Sequence, residues 1–392
     1  MKNEQAKLVR LDKYIPQFDG LRAIAILVVL FAHSEYLQTI PHLGILKYGR
    51  AGVDLFFVLS GFLITGILLD TKGSPHYFRN FYARRVLRIW PLYFAVLFAV
   101  FVIILGLRPR IADSGRSSTW LYYVLYLQNL FPYLNRPVFL APTWSLALEE
   151  QFYVTWPSLV FLLTRRTLLV VLVGLMIVPL LFRTALFFGG APYVAIDEFT
   201  LSRLDAIVIG AIWALWLRSA NCTQARWRRW NICVLGASVA AMSLAKLLIH
   251  QHSTILNYSF LATGFAGALG LSLVSSCTNS LVGRALSMDW LRYLGKISYG
   301  IYLLHMPVFI FFEEWRSHWP IGLRMTAGGK MLAAAISFIS VVAIASVSWF
   351  FFEQPILRLK DRFRSEERTV MPGSLLSGFP TPGQKAEGPL TV

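Results

Sequence analysis

The sequence predicts an all-α integral membrane protein, a bundle of about ten transmembrane helices with both termini cytosolic. Three observations carry this: an apolar composition, ten apolar runs of spanning length, and a one-sided distribution of Lys and Arg. Of 392 residues, 56% are apolar and only 15% are charged, where soluble globular chains carry roughly 25% charged residues. A net charge of +17 would suggest nucleic acid in a soluble chain. In a membrane chain the same excess serves as an orientation signal, so the expected partner is the lipid bilayer and not nucleic acid.

A hydrocarbon core of about 30 Å needs roughly 20 helical residues. The candidate spans are 19–37, 51–70, 86–106, 142–163, 167–187, 201–217, 230–249, 258–276, 290–312 and 331–352. With the N-terminus inside, the inner segments hold most of the Lys and Arg, among them Lys72, Arg79, Arg84, Arg85, Arg165, Arg166, Arg218 and the run from Arg358 to Arg368. This bias places both termini in the cytosol, as expected of a multi-pass protein of the plasma (inner) membrane. The apolar stretch Trp120 to Leu130 is too short to cross, and a crossing there would reverse the bias for every later span. It is expected to be interfacial or re-entrant on the outer side. The basic N-terminus (Lys2, Lys7, Arg10, Lys13) resembles a secretory signal, but the run after it contains Arg22 and His33 and lacks a small-residue cleavage site. The chain thus divides into a cytosolic N-terminal segment (1–18), a transmembrane domain (19–355) and a basic tail (356–392), disordered from Ser365 on. Cys222, Cys233 and Cys277 have no paired spacing, which implies neither a disulfide framework nor a metal site.

Ionisable groups inside hydrocarbon cost several kcal/mol and usually face a bundle interior or a wet cavity. The first span carries Asp19, Arg22 and His33. Eleven helical residues return to nearly the same azimuth, so Arg22 and His33 share a face about 16 Å apart along the axis. An alternative has Arg22 snorkelling to inner headgroups and His33 at the outer interface. The fourth span opens with Ser145, Glu149 and Tyr153 at i, i+4 and i+8, one polar stripe on an apolar helix. Glu149 lies at a depth comparable with His33, where a carboxylate would orient the imidazole and raise its basicity. The alternative is a pairing of Glu149 with Arg183 or Arg203. Arg85 and Arg88, at i and i+3 beside Arg79 and Arg84, form either an orientation signal or a phosphate clamp. Asp54 is an isolated acid whose candidate partners are Arg22, Arg88 and Arg292. Arg203 and Asp205 point to nearly opposite faces, and His305 fits a packed role as well as a functional one. Phosphate-binding Gly-rich loops, HExxH and GxSxG are absent, which removes P-loop pumps, zincins and elbow-type hydrolases.

Together the motifs resemble the membrane-bound acyltransferase family 3. The resemblance runs from about Ile15 to Pro355. It rests on Phe18-Asp-Gly-Leu-Arg22 followed by His33, Gly52-Val-Asp-Leu-Phe-Phe-Val-Leu-Ser-Gly-Phe-Leu-Ile64, and Arg85-Val-Leu-Arg88 leading to Pro91-Leu-Tyr93. It continues through Trp144-Ser-Leu-Ala-Leu-Glu149 with Phe152-Tyr153, Arg203-Leu-Asp205, Ser298-Tyr-Gly-Ile-Tyr-Leu-Leu-His305 and Glu353-Gln-Pro355. The resemblance implies an enzyme of about ten spans, in the stand-alone form lacking an appended soluble hydrolase-like domain, that acylates hydroxyls of carbohydrate or glycosylated acceptors from acetyl-CoA or a related acyl-CoA, with no metal. It also implies that Arg22 and His33 are the family's first-span arginine and histidine, and that Arg85 and Arg88 are its paired, donor-associated arginines.

The expected division of labour follows from these placements. The nucleotide of acyl-CoA stays at Arg85 and Arg88, with Arg22 on the donor or on Asp54. The pantetheine arm spans the Arg22 to His33 separation, and His33, oriented by Glu149, deprotonates the acceptor hydroxyl for attack on the thioester. An acyl-imidazole or acyl-Ser145 relay is the secondary route. Asp19, Asp54, Ser145, Tyr153 and His305 are expected to support the site. A proton-coupled transporter or flippase of a glycan or small molecule would use the same buried charges. Acetyl transfer distinguishes the two.

Overall fold

The computed structural model describes residues 14–34, 37, 50–104, 120–130, 138–219, 222–249, 254–277 and 280–363. The basic residues before Tyr14, most of the segments 38–50 and 107–141, and the tail from Ser365 lie outside them. The described part is helical throughout. A long helix stands at each of the ten expected runs. They are α1 (Pro16–His33), α2 (Arg50–Thr71), α3 (Tyr77–Phe98), α4 (Trp144–Leu162), α5 (Arg165–Phe188), α6 (Thr200–Leu217), α7 (Gln224–Ile249), α8 (Thr254–Cys277), α9 (Ser298–Arg316) and α10 (Ala327–Ser348).

Among the described residues, eight helices are long and apolar enough to cross a membrane. A ninth crossing arises if Asp289–Lys296 and α9, bent by 70° at their junction, count as one span. The remaining run, α4, is a 19-residue helix that carries Glu149 and Glu150 near its start. The stretch after Trp120 forms only a five-residue helix, Trp120–Val124.

Several boundaries differ from the sequence expectation for local reasons. Helix α1 starts at Pro16, whose fixed φ suits the first helical turn and whose missing N–H would have no partner there, and it ends where Ser34 turns extended. Helix α3 starts nine residues before the expected span, because hydropathy registers only its apolar half while the Arg-bearing half is equally helical. It runs on into a π-helical turn, Ala99–Ile104. The segment between the expected spans 167–187 and 201–217 contains a short helix, Tyr193–Glu198. The first residues of the tail are also folded: Leu359–Phe363 forms a 3-10 turn packed on α3.

Helix α2 is the hub, touching α1, α4, α6 and α8. Its contact with α6 is backbone-close. A Cβ at Gly61 would overlap the Ile207 carbonyl oxygen, and a Cβ at Gly210 would overlap that of Val58. Glycine here permits close approach and not an unusual conformation. Helices α2, α4 and α6 run in one direction, which gives the bundle two distinct ends. At one end Arg218 forks onto Asp70 at 2.5 and 2.6 Å. Lys72 there donates to the last carbonyls of α4, Val160 and Leu163, at 2.8 Å each, a favourable use of a cation at a helix C-terminus. At the opposite end lie Asp54 with Arg203, Ser145 with Tyr302, and His33 with His305.

Candidate active site

The polar interior separates into three groups, and the sequence-predicted residues distribute among them differently from expectation. The first group is cationic. Arg85 lies over the rings of Phe81 and Tyr153, 5.7 and 5.6 Å from their centroids. Arg88 is within electrostatic reach of Arg22, Arg85, Glu149 and Glu353, and Lys360 is within reach of Arg84, Arg85 and Arg88. Arg84, Arg85 and Arg88 are half-buried, yet none has a carboxylate within ion-pair distance among the described residues. Arg84 and Arg85 line a cleft whose other walls are Ile67, Thr71, Tyr77, Asn80 and Phe81. Guanidiniums outside any ion pair at the rim of a cleft suit phosphate, which they can bind through paired N–H donors.

Arg22 is held by Asp19 at 2.7 Å, and Asp19 in turn accepts from the Tyr14 hydroxyl at 2.5 Å. Arg22 therefore belongs to this cationic group and not to Asp54.

Glu149 also belongs here, which corrects its expected pairing with His33. Its two oxygens accept from Ser60 at 2.7 Å and from Tyr153 at 3.1 Å. The nearby cations are Arg85 and Arg88, so neither Arg183 nor Arg203 is its partner. The i to i+4 stripe puts Glu149 and Tyr153 together as predicted, and Tyr153 then presents its ring to Arg85. Depth along two separate helices matched Glu149 with His33, but the azimuth of α4 turns its carboxylate toward α2 and α3.

The second group is the histidine end. His33 Nδ1 is 2.9 Å from the Val29 carbonyl. A carbonyl can only accept, so Nδ1 carries the proton and Nε2 is the basic nitrogen of the neutral ring. The tautomer that Glu149 was expected to fix is thus set by the helix backbone one turn earlier. The His33 ring meets that of His305 edge to face, centroids 4.9 Å apart. Ser145 lies beside this pair: Tyr302 donates to the Pro142 carbonyl at 2.5 Å, and Ser145 Oγ lies 2.6 Å from the Tyr302 hydroxyl. Ser145 is therefore held by a phenol and a carbonyl and not by a base, which leaves the acyl-Ser145 route without an activating group.

The third group is a buried ion network. Asp54 pairs with Arg203 at 2.5 Å, so its partner is none of the three expected. Arg203 also approaches Asp197 at 3.8 Å and stacks on Tyr258, 3.9 Å from the ring centroid. Asp205 pairs with Arg183 at 2.9 Å, and Ser259 donates to it at 2.6 Å. The two-residue offset between Arg203 and Asp205 puts them on different sides of α6, where each finds a separate opposite charge. Asp197 and Tyr258 were the residues that sequence reasoning missed as members of a site, and Arg183 was weighed only as a partner of Glu149. Asp197 falls between two expected spans, although an acid six residues before a buried arginine is a usable signal.

A family model described as an acyltransferase domain matches residues 15–351. The chain belongs to the membrane-bound acyltransferase family 3. Among curated relatives of this acyltransferase domain, peptidoglycan O-acetyltransferase OatA of Listeria monocytogenes is 28% identical over 370 residues, which cover 88% of this chain and 56% of that protein. O-acetyltransferase OatA of Staphylococcus aureus is 28% identical over 378 residues, covering 88% of this chain and 57% of the relative. The acyltransferase chain spans just over half the length of these relatives. No solved structure matches it.

Proposed function

We propose that this acyltransferase moves an acyl group, most directly acetyl, from acyl-CoA to a hydroxyl of a carbohydrate or glycosylated acceptor at the plasma membrane. The observation that supports the proposal is the set of guanidiniums, Arg84, Arg85 and Arg88, that form no ion pair among the described residues, at one end of a bundle whose other end holds His33 with its Nε2 as the basic nitrogen. The similarity to peptidoglycan O-acetyltransferases supports the choice of acetyl and of a glycan acceptor.

In this proposal the phosphates of the donor bind Arg85 and Arg88, with Arg22 and Lys360 adding positive charge. The distance from Arg22 to His33 along α1 is about 16 Å, which suits an extended pantetheine arm. His33 Nε2 takes the hydroxyl proton as the oxygen attacks the thioester carbonyl carbon. The C–S bond then breaks, and the thiolate leaves with the proton from His33. Burial of the path within the bundle keeps bulk water from the thioester.

Donor binding is tested by Arg85→Ala and Arg88→Ala. Because neither guanidinium sits in an ion pair among the described residues, each variant is expected to fold normally. Each should raise the KM for acetyl-CoA by about tenfold or more, the size of one lost charge-assisted hydrogen bond. Unchanged KM in both variants, with transfer intact, would place the donor elsewhere.

A further inference from the structure

His305 is fully buried in α9, and its Nδ1 lies 2.6 Å from the Tyr302 carbonyl. By the argument that applies to His33, Nδ1 carries the proton and Nε2 carries a lone pair. That Nε2 has no hydrogen-bond partner among the described residues. A buried acceptor left unpaired is unfavourable, and most native structures avoid it. The ring is nonetheless fixed: Tyr302 is anchored through its hydroxyl to Pro142 and Ser145, and Phe309 closes the far side with its centroid 5.9 Å away. What faces His305 is the ring of His33. Two neutral imidazoles gain little from this contact. A neutral imidazole beside an imidazolium gains much more, because a positive charge then sits beside an unshared electron pair.

We propose that His305 is a positioning residue for the transfer step: it stays neutral and stabilises the imidazolium that forms on His33. This rests on His33 being the base. The hydroxyl O–H bond breaks, an N–H bond forms at His33 Nε2, and the oxygen bonds to the acyl carbon. The departing thiolate later removes that proton. His305 gains and loses no proton; it lowers the energy of the charged interval. In this site it does the work for which Glu149 was expected, and it does so without a second charge.

The test uses the full chain in membranes, with radiolabelled acetyl-CoA as donor and the membrane glycan fraction as acceptor. His305→Phe keeps a ring and removes the lone pair; His305→Gln keeps an acceptor oxygen near the position of Nε2. The expected result is a fall in kcat of at least about 100-fold for His305→Phe and of less than about tenfold for His305→Gln, with the acetyl-CoA KM within about threefold of wild type in both. His305→Phe at wild-type kcat overturns the inference, and so does His305→Gln impaired as severely as His305→Phe. A rise in KM matching the loss of kcat/KM would make His305 a binding residue and also overturn it. No transfer by the wild-type chain would instead remove the acyltransferase reading, and this inference with it.

Discussion

At the scale of single residues, Glu149 is the most informative. It lies between the two ends of the bundle, and its hydrogen bonds to Ser60 and Tyr153 tie it to the arginines. Glu149→Gln replaces one of the two accepting oxygens with an amide nitrogen, which cannot accept, and loosens Tyr153, on which Arg85 rests. The expected effect is a rise in acetyl-CoA KM of about five- to tenfold with kcat within about threefold of wild type. A collapse of kcat at unchanged KM would put Glu149 back beside His33. The residue types and their helical spacing were legible in the sequence: the shared face of Arg22 and His33, and the stripe of Ser145, Glu149 and Tyr153. Which neighbour each face meets was not legible, because that depends on how each helix is rotated about its own axis. Backbone carbonyls as the orienting groups of His33 and His305 were equally invisible, since every helix offers such carbonyls and only rotamers select them.

At the scale of elements, α2 and α6 are joined by two glycine contacts and one buried ion pair. Arg203 and Asp54 are essentially without solvent contact, so removal of one partner leaves an uncompensated charge in the bundle. Arg203→Met is expected to cost about 3–5 kcal/mol, read as a lower melting midpoint in detergent. Asp54→Leu combined with Arg203→Met should recover more than half of that loss, because a matched apolar pair needs no desolvation. A single Arg203→Met variant as stable as wild type would show that the network contributes nothing to the α2–α6 contact. The positions of these elements were predictable from apolar runs of spanning length. Their polar extensions were not, because the Arg-rich start of α3 and the short helix Tyr193–Glu198 are held by contacts with neighbouring helices and not by apolarity of their own. The same holds for Lys360, which reaches the arginine cluster only because the 3-10 turn folds back on α3.

For the whole molecule, the separation of the arginine end from the histidine end matters only if the two ends face opposite sides of the membrane. The Lys and Arg bias predicts that the arginine end faces the cytosol. This is testable with single cysteines introduced at Ser74, between α2 and α3, and at Ala191, between α5 and the helix Tyr193–Glu198, with Cys233 and Cys277 replaced by Ser. Native Cys222 contributes little background, since burial pushes its thiol up to about 11 and the thiolate is the reactive form. A membrane-impermeant thiol reagent should label Ala191→Cys in intact cells and Ser74→Cys only after lysis. The reverse pattern would invert the bundle and place the arginines on the side that lacks acyl-CoA.

The most direct single measurement is transfer of radiolabelled acetyl from acetyl-CoA in membranes carrying either the wild-type chain or His33→Ala, with lipid and glycan fractions counted separately. The expected result is label in a hydroxyl-bearing glycan or glycolipid with the wild-type chain and a loss of at least about 100-fold with His33→Ala, the size of a missing general base. Equal labelling by the two would contradict the role of His33. The absence of label from both, across a panel of acyl donors and glycan acceptors, would contradict the transfer itself.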